Sequence, residues 1–235
     1  MTLIIFSPSK EMDTIVGNGL IPQSDPVQAI IKELALKDTT ELEKLFKCSA
    51  ELAQDIYHRY QVINKKTARP AYQVYQGLAF RQIKWDKIDL NYAIDHLKIL
   101  SALYGPISPI QPINPYRLDF NTSLKIKNQS LKSLWKAHYN KAFEEQTVIN
   151  LASNEFASLL DPKKMQLIQI NFYKDIELSK KAPSATSKKL RGALLNYLLQ
   201  TKSLDLNTFK AFKAFEYSYA NGDFENKEIN YCLNQ

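Results

Sequence analysis

Three short stretches of this 235-residue chain carry residues suited to one chemistry, the holding of an anion. Ser7-Pro8-Ser9-Lys10 offers two hydroxyls and an ammonium directly after a short apolar run. Tyr116-Arg117 ends a segment with Pro106, Pro109, Pro112 and Pro115 at every third position. Their fixed φ lowers the entropy lost when the loop is ordered, so the segment either delivers Tyr116 and Arg117 to a fixed place or only routes a surface crossover. Lys188-Lys189-x-Arg191 opens a helical stripe of Leu190, Leu194, Tyr197 and Leu198, with Thr186 or Ser187 as the N-cap. Cations in a first turn oppose the helix dipole, at roughly 0.3–1 kcal/mol each in low salt. Beside free N–H groups the same cations form an anion site, and a local cost without structural return is what a functional site shows.

The elements that must place these residues follow from hydrophobic periodicity. Residues 3–6 (LIIF) and 147–151 (TVINL) read as buried strands, each with polar residues at its exit. Ligands of open α/β sheets bind beyond the carboxyl ends of strands. If these two strands run parallel, Asn150, Ser153 and Asn154 open on the same edge as Ser7 and Lys10. Residues 165–173 read as a core strand. Residues 27–61 carry three amphipathic helices, the second behind Thr39 or Thr40 as N-cap. Tyr72, Val74 and Leu78 around Gly77 predict a strand and turn. Ile94, Leu97, Leu100, Leu103 and Tyr104 predict a helix, capped by Asp86 or Asp89 and ended by Gly105-Pro106. Residues 124–144 predict another helix. Asn221-Gly222 reads as a hairpin turn with residues 229–231 as the return strand. The fold expected is α/β (mixed α+β), one compact domain over residues 1–235, with a mixed central sheet flanked by helices. Residues 27–104 form its mainly helical part.

Composition narrows the classes. No run of about 18 apolar residues exists, so no membrane span is expected. The N-terminus reads as a strand and lacks the pattern of a signal peptide. Cys48 and Cys232 have no pairing motif, which fits a reducing cytoplasm and argues against a disulfide framework and a zinc site. With His58, His96 and His138 scattered, neither a metal site nor a cofactor is expected. The net charge is +7, and residues 161–213 hold eleven basic against four acidic side chains, which is the whole excess. Such a segment suits a polyanion or an anionic small ligand; a solvated lysine-rich face is the alternative. Aromatic residues at 209–219 could stack bases beside lysines, or serve core and edge packing. No nucleophile–base pair, HExxH, GxGxxG or P-loop occurs, which weighs against an enzyme.

LSALYGPISPIQPINPYRLDF (residues 100–120) resembles the signature of the YaaA family of peroxide-stress proteins. IIFSPSKEMD looks like that family's opening strand and SPAK loop, with Ser9 in place of the usual alanine. VYQGL, VINLASNEF and SKKLRGALLNYL look like further family blocks in the same order, so the resemblance spans the chain. It implies protection against hydrogen peroxide by limiting free iron and DNA damage. It also implies a helix-hairpin-helix element around the Tyr104-Gly105 turn, which would offer backbone N–H groups to DNA phosphates. The chain departs from that pattern, since the turn has one glycine and Pro106 has no N–H.

The first function expected is therefore a cytoplasmic oxidative-stress protein that binds DNA, as a straight or distorted duplex, with little sequence preference. Its anion-binding residues would be Ser7, Lys10, Tyr104, Gly105, Tyr116, Arg117, Asn150, Lys188, Lys189 and Arg191, in a basic cleft. The alternative is an enzyme acting on a phosphorylated or nucleotide-like small molecule in the same basic pocket, with lysine and arginine stabilising developing negative charge.

Overall fold

A computed structural model describes residues 1–234. The strands are β1 (Thr2–Phe6), β2 (Arg69–Pro70), β3 (Leu97–Ser101), β4 (Gly105–Ile107), β5 (Pro112–Ile113), β6 (Lys125–Ile126), β7 (Gln129–Ser130), β8 (Thr147–Leu151), β9 (Gln166–Tyr173), β10 (Lys213–Ala214), β11 (Tyr217–Asp223) and β12 (Glu228–Leu233). The helices are α1 (Asp25–Ala35), α2 (Thr39–Phe46), α3 (Ala50–Val62), α4 (Ala71–Val74), α5 (Leu90–His96), α6 (Leu131–Phe143), α7 (Asn154–Ala157), α8 (Ser184–Thr201) and α9 (Leu206–Ala211). Single 3-10 turns cover Phe80–Gln82 and Trp85–Lys87.

One mixed sheet dominates, in the order β10-β11-β12-β9-β8-β1-β3-β4. The run β12-β9-β8-β1-β3 is parallel, and antiparallel strands close both edges. Parallel strands are covered on both faces, so they read as unbroken apolar runs. Accordingly Ile4, Ile5, Val148, Ile149, Leu97 and Ile99 are all fully buried. From β1 the chain goes on to β3 on one side, and from β8 to β9 on the other. The crevice between the β1 and β8 exits is thus a topological switch point, the usual ligand position in such sheets.

The α/β class and the mixed sheet flanked by helices are as the sequence implies. The β1 and β8 strands are parallel, with Phe6 opposite Leu151. Several local readings are corrected. The helix expected to reach Tyr104 stops at His96, and residues 97–101 pair with β1 and β4 instead. Leu97 and residues 99–103 are buried whichever way they point, and periodicity cannot separate a strand from a helix in such a run. The Tyr104-Gly105 turn therefore joins two strands, and the helix-hairpin-helix element is absent there. Asp38, not a threonine, caps α2, in a capping box with Glu41. Asp89 caps α5 through the Asn91 amide at 2.9 Å. Residues 72–74 lie in the short α4 rather than a strand. Residues 125–130 form a small hairpin ahead of α6. Asn221 and Gly222 lie within β11 beside a register shift; the strand continues to Asp223, and the turn follows at residues 224–227.

The proline-rich segment is routed by specific contacts. Pro106 sits on the edge strand β4, where its missing N–H costs no ladder bond, and Pro112 pairs with Pro70. The amides of Ala71 and Tyr72 donate to the carbonyls of Gln111 and Pro109, each at 2.9 Å.

Candidate functional site

At the switch point lies a cavity of about 340 Å³, floored by Phe6 and Leu151 at the ends of β1 and β8. One wall is the loop 76–80 with Lys188 and Arg191 of α8. The other is residues 116–119 with Ser153 and Glu155, and the loop 7–12 runs between the two.

The wall carrying α8 depends on a close approach. A Cβ on Gly192 would overlap the carbonyl oxygen of Ala79 and lie 2.8 Å from its carbonyl carbon. The Lys84 amide also donates to Asn196 Oδ1 at 2.9 Å. Helix α8 starts at Ser184, after Pro183, earlier than the expected Thr186 or Ser187 cap. Its free amides thus belong to the turn before Lys188, and the three cations lie further along the helix. Lys188 and Arg191 line the cavity, whereas Lys189 is exposed outside its lining. Arg191 Nε is buried with no hydrogen-bond partner among the described residues, and burial holds its pKa below the ordinary arginine value.

The opposite wall is fixed by buried phenols. Tyr116, fully buried, shares its hydroxyl with Tyr75 at 2.9 Å and with Ser101 Oγ at 2.8 Å. Ser101 Oγ in turn accepts from the amides of Leu103 and Tyr104 at 3.2 and 2.9 Å. Tyr60 donates to the Arg117 carbonyl at 3.0 Å. Burial is the main reason the Tyr116 phenol is pushed up to about 12, so it stays a neutral hydrogen-bonding group. These bonds fix the Tyr116 ring and the backbone at Arg117. The Tyr116 hydroxyl, however, serves the core, and the cavity gains the Arg117, Leu118 and Asp119 that follow.

Lys10 forms an ion pair with Asp119 at 2.6 Å, so this cation is matched by an anion. Asp119 Oδ1 also accepts from the Thr122 hydroxyl and the Asn121 amide, each at 3.1 Å. Burial pushes the Asp119 carboxyl up, but Lys10 with these donors outweighs it and holds the group below its ordinary value. Glu155 goes the other way: burial raises it, the neighbouring Asp119 charge adds to the rise, and the Phe120 amide at 2.9 Å offsets only part. Two carboxyls in one cavity are thus pushed apart in acidity. The linkage signs are opposite. Asp119 contributes stability above the ordinary carboxylate pKa, lost as pH falls through its folded value. Glu155 contributes below that pKa, and the contribution is lost as pH rises through its folded value. The Lys10 side chain is 58% exposed, so the pair is worth roughly 0.2–1 kcal/mol. Its effect on titration is clearer than its effect on stability. In Lys10→Ala the Asp119 midpoint, followed by carboxyl NMR, is expected to rise, because only the Thr122 and Asn121 donors are then left to oppose burial. An unchanged midpoint would mean that Lys10 does not set it.

Ser7 Oγ accepts from the Ser153 amide at 2.8 Å and donates to Ser153 Oγ at 3.3 Å, joining the two strand exits. Asn150 is nearly buried and already engaged, with Gln169 at 2.7 Å and the Ala152 amide at 2.9 Å, and it is not in the lining. Tyr104 is buried and bonded to Asn114 at both its carbonyl and its amide. Gly105 (φ +78°) lies against Trp135. Of the expected residues, Ser7, Lys10, Tyr116, Arg117, Lys188 and Arg191 therefore meet in one lining, while Tyr104, Gly105, Asn150 and Lys189 lie outside it.

Sequence reading missed Asp119, Glu155 and the loop 76–80. Both carboxylates stand in stretches that were legible, YRLDF and SNEF, but a lone acid beside a turn carries no pairing signal. The lining holds four cations and three carboxylates, Glu11 being the third, so it is mixed rather than uniformly basic. Glu11 pairs with Arg81 at the rim. Among the described residues Arg117, Lys188 and Arg191 have no carboxylate within ion-pair distance. No cluster of three or more metal-ligating side chains and no helix long and apolar enough to cross a membrane occurs among the described residues.

The model of a family described as "Peroxide stress protein YaaA" matches residues 2–222. A UPF0246 protein of Streptococcus pneumoniae (strain CGSP14) is 36% identical over 210 residues, covering 85% of this chain and 86% of that protein. A second, from strain P1031, is 35% identical over 207 residues with the same coverage.

Proposed function

The chain belongs to the peroxide stress protein YaaA family, and from that premise we propose that it serves the peroxide response by holding DNA through its phosphates. The observation that carries the reading is the meeting of Arg117, Lys188 and Arg191, from distant parts of the chain, with no carboxylate partner among the described residues. A cation without a counter-charge in a cavity lining gains by meeting a phosphate, and an arginine can do so with two parallel N–H bonds. Exposed Lys189 extends the rim, and the surplus charge of residues 161–213 attracts a polyanion at longer range. Contacts of this kind position a backbone without reading bases, so little sequence preference is expected. The protein would act in the cytoplasm, where Cys48 and Cys232 remain free thiols, and DNA so covered would be shielded from iron-dependent oxidation.

A second reading, an enzyme acting on a phosphorylated or nucleotide-like small molecule, is favoured by one observation. The cavity is near the lower end of small-molecule pockets, roughly 300–1,000 Å³, and it contains two carboxyls of divergent acidity. Binding of labelled straight and branched duplexes, repeated with a nucleoside monophosphate as competitor, separates the two readings. Duplex binding that survives saturating nucleotide supports the first. Stabilisation by the nucleotide with no duplex binding at low salt supports the second and overturns the first.

A further inference from the structure

We infer that the cavity is a hydrolytic site for the N-glycosidic bond of a nucleotide, with Glu155 as general acid and Asp119 as the carboxylate that directs the water. The inference rests on the reading of Arg117, Lys188 and Arg191 as phosphate holders.

Three kinds of group share the lining. Arg117, Lys188 and Arg191 bring positive charge, Asp119 and Glu155 a carboxyl pair, and Phe6, Leu151, Phe80 and Phe156 apolar and aromatic surface. A ligand in the cavity meets phosphate-binding cations, aromatic surface and an acid–base pair. A nucleotide has those three parts. Its base is flat and apolar on its faces, and its sugar links that base to phosphate. Stacking of a base on aromatic side chains is tolerant of base identity.

The carboxyls are held differently, and each suits its task. Asp119 is kept as an anion by Lys10 at 2.6 Å and by the Thr122 and Asn121 donors. Glu155 takes one backbone N–H, from Phe120, on Oε1; no bond to its Oε2 is made among the described residues. A protonated Glu155 is therefore free to donate through that oxygen. In the step, the oxygen of water bonds to the anomeric carbon as the carbon–nitrogen bond breaks. The electron pair of that bond leaves with the base, whose nitrogen takes the Glu155 proton. Asp119 accepts the proton lost by the water and, before that, offsets the positive charge that develops on the sugar. Solvent then returns the proton to Glu155 and removes the one on Asp119. One water is consumed, and no oxidant, reductant or metal is required. Ser153, whose Oγ accepts from Ser7 in the same lining, keeps its own hydroxyl proton for the sugar or the water.

The nucleotide could be free, or it could be one residue of a DNA strand turned out of the stack into the cavity. The test therefore has two arms: the full chain is incubated with a panel of nucleoside and 2′-deoxynucleoside 5′-monophosphates, and with single-stranded and mismatched duplex DNA. Free base is measured by mass spectrometry. Release is expected in at least one arm, and the arm identifies the source. Glu155→Gln keeps the Oε1 acceptor for Phe120, so it should fold; its release should fall at least 100-fold while duplex binding and melting stay as in the wild type. Asp119→Asn should lose activity similarly. Glu33→Gln, a carboxylate change on α1, should lose none. Absence of free base in both arms overturns the inference, as does a Glu155→Gln variant of wild-type rate. Duplex binding measured on the same preparation reports on the phosphate-holding rim separately, so either idea can fail alone.

Discussion

Trp135→Ala is expected to cost about 3–5 kcal/mol, the range for removing a buried aromatic side chain. In a chain of this length, roughly 2–4 °C per kcal/mol, the melting temperature should fall by about 6–20 °C. The side chain is 3% exposed and does two things at once. Its ring covers Gly105, where an added Cβ would lie 2.9 Å from Cη2, and its Nε1 donates to the Ala102 carbonyl at 2.9 Å. The turn it covers links β3 to β4 and begins the segment that ends at Arg117 and Asp119. Trp135→Phe separates the two contributions. It keeps an aromatic ring while removing the donor, leaving the Ala102 carbonyl without this partner, at about 1–3 kcal/mol. Thermal melting of both variants checks this. Equal losses would mean that the hydrogen bond, rather than the packing, carries the effect.

Gly192→Ala should destabilise the protein although it replaces a glycine inside a helix. Helix propensity alone favours alanine by about 1 kcal/mol. Against it stands the Ala79 carbonyl, a backbone group with no rotamer to change, and overpacking of this kind costs about 1–3 kcal/mol. A cost near the top of that range leaves a net loss of about 2 kcal/mol, or roughly 4–8 °C in melting temperature. The same displacement moves Lys188 and Arg191 away from the opposite wall, so duplex affinity should fall along with stability. A Gly192→Ala variant that melts at or above the wild type would show that the 76–80 loop yields easily and that α8 is not held by this contact.

Much of the fold was legible because its core strands are short apolar runs with polar exits. The runs LIIF and TVINL identify β1 and β8, and their parallel pairing brings Ser7 to Ser153 as the exits suggested. Residues 97–104 were read as a helix for a physical reason. Their apolar side chains fill every direction around β3, and full burial erases the period that would distinguish strand from helix. The site was half legible. Cations stand out by sequence clustering, so Lys188 and Arg191 could be found. The partners that decide their role could not: Asp119 neutralises Lys10 from 109 positions away, and Gly192 fits beneath Ala79, a contact that only the fold creates. Tyr104 and Tyr116 show the limit of residue type, since both are buried phenols whose hydroxyls bond within the protein.

The most direct test of phosphate holding by this rim is the salt dependence of duplex binding, compared between the wild type and Lys188→Ala/Lys189→Ala/Arg191→Ala. Each phosphate contact contributes about 0.9 to the slope of log affinity against log salt. Loss of three contacts should therefore make the slope shallower by up to about 2.7, with weaker binding to every sequence tested. A variant that binds the duplex with the wild-type slope and affinity would contradict the assignment of the rim.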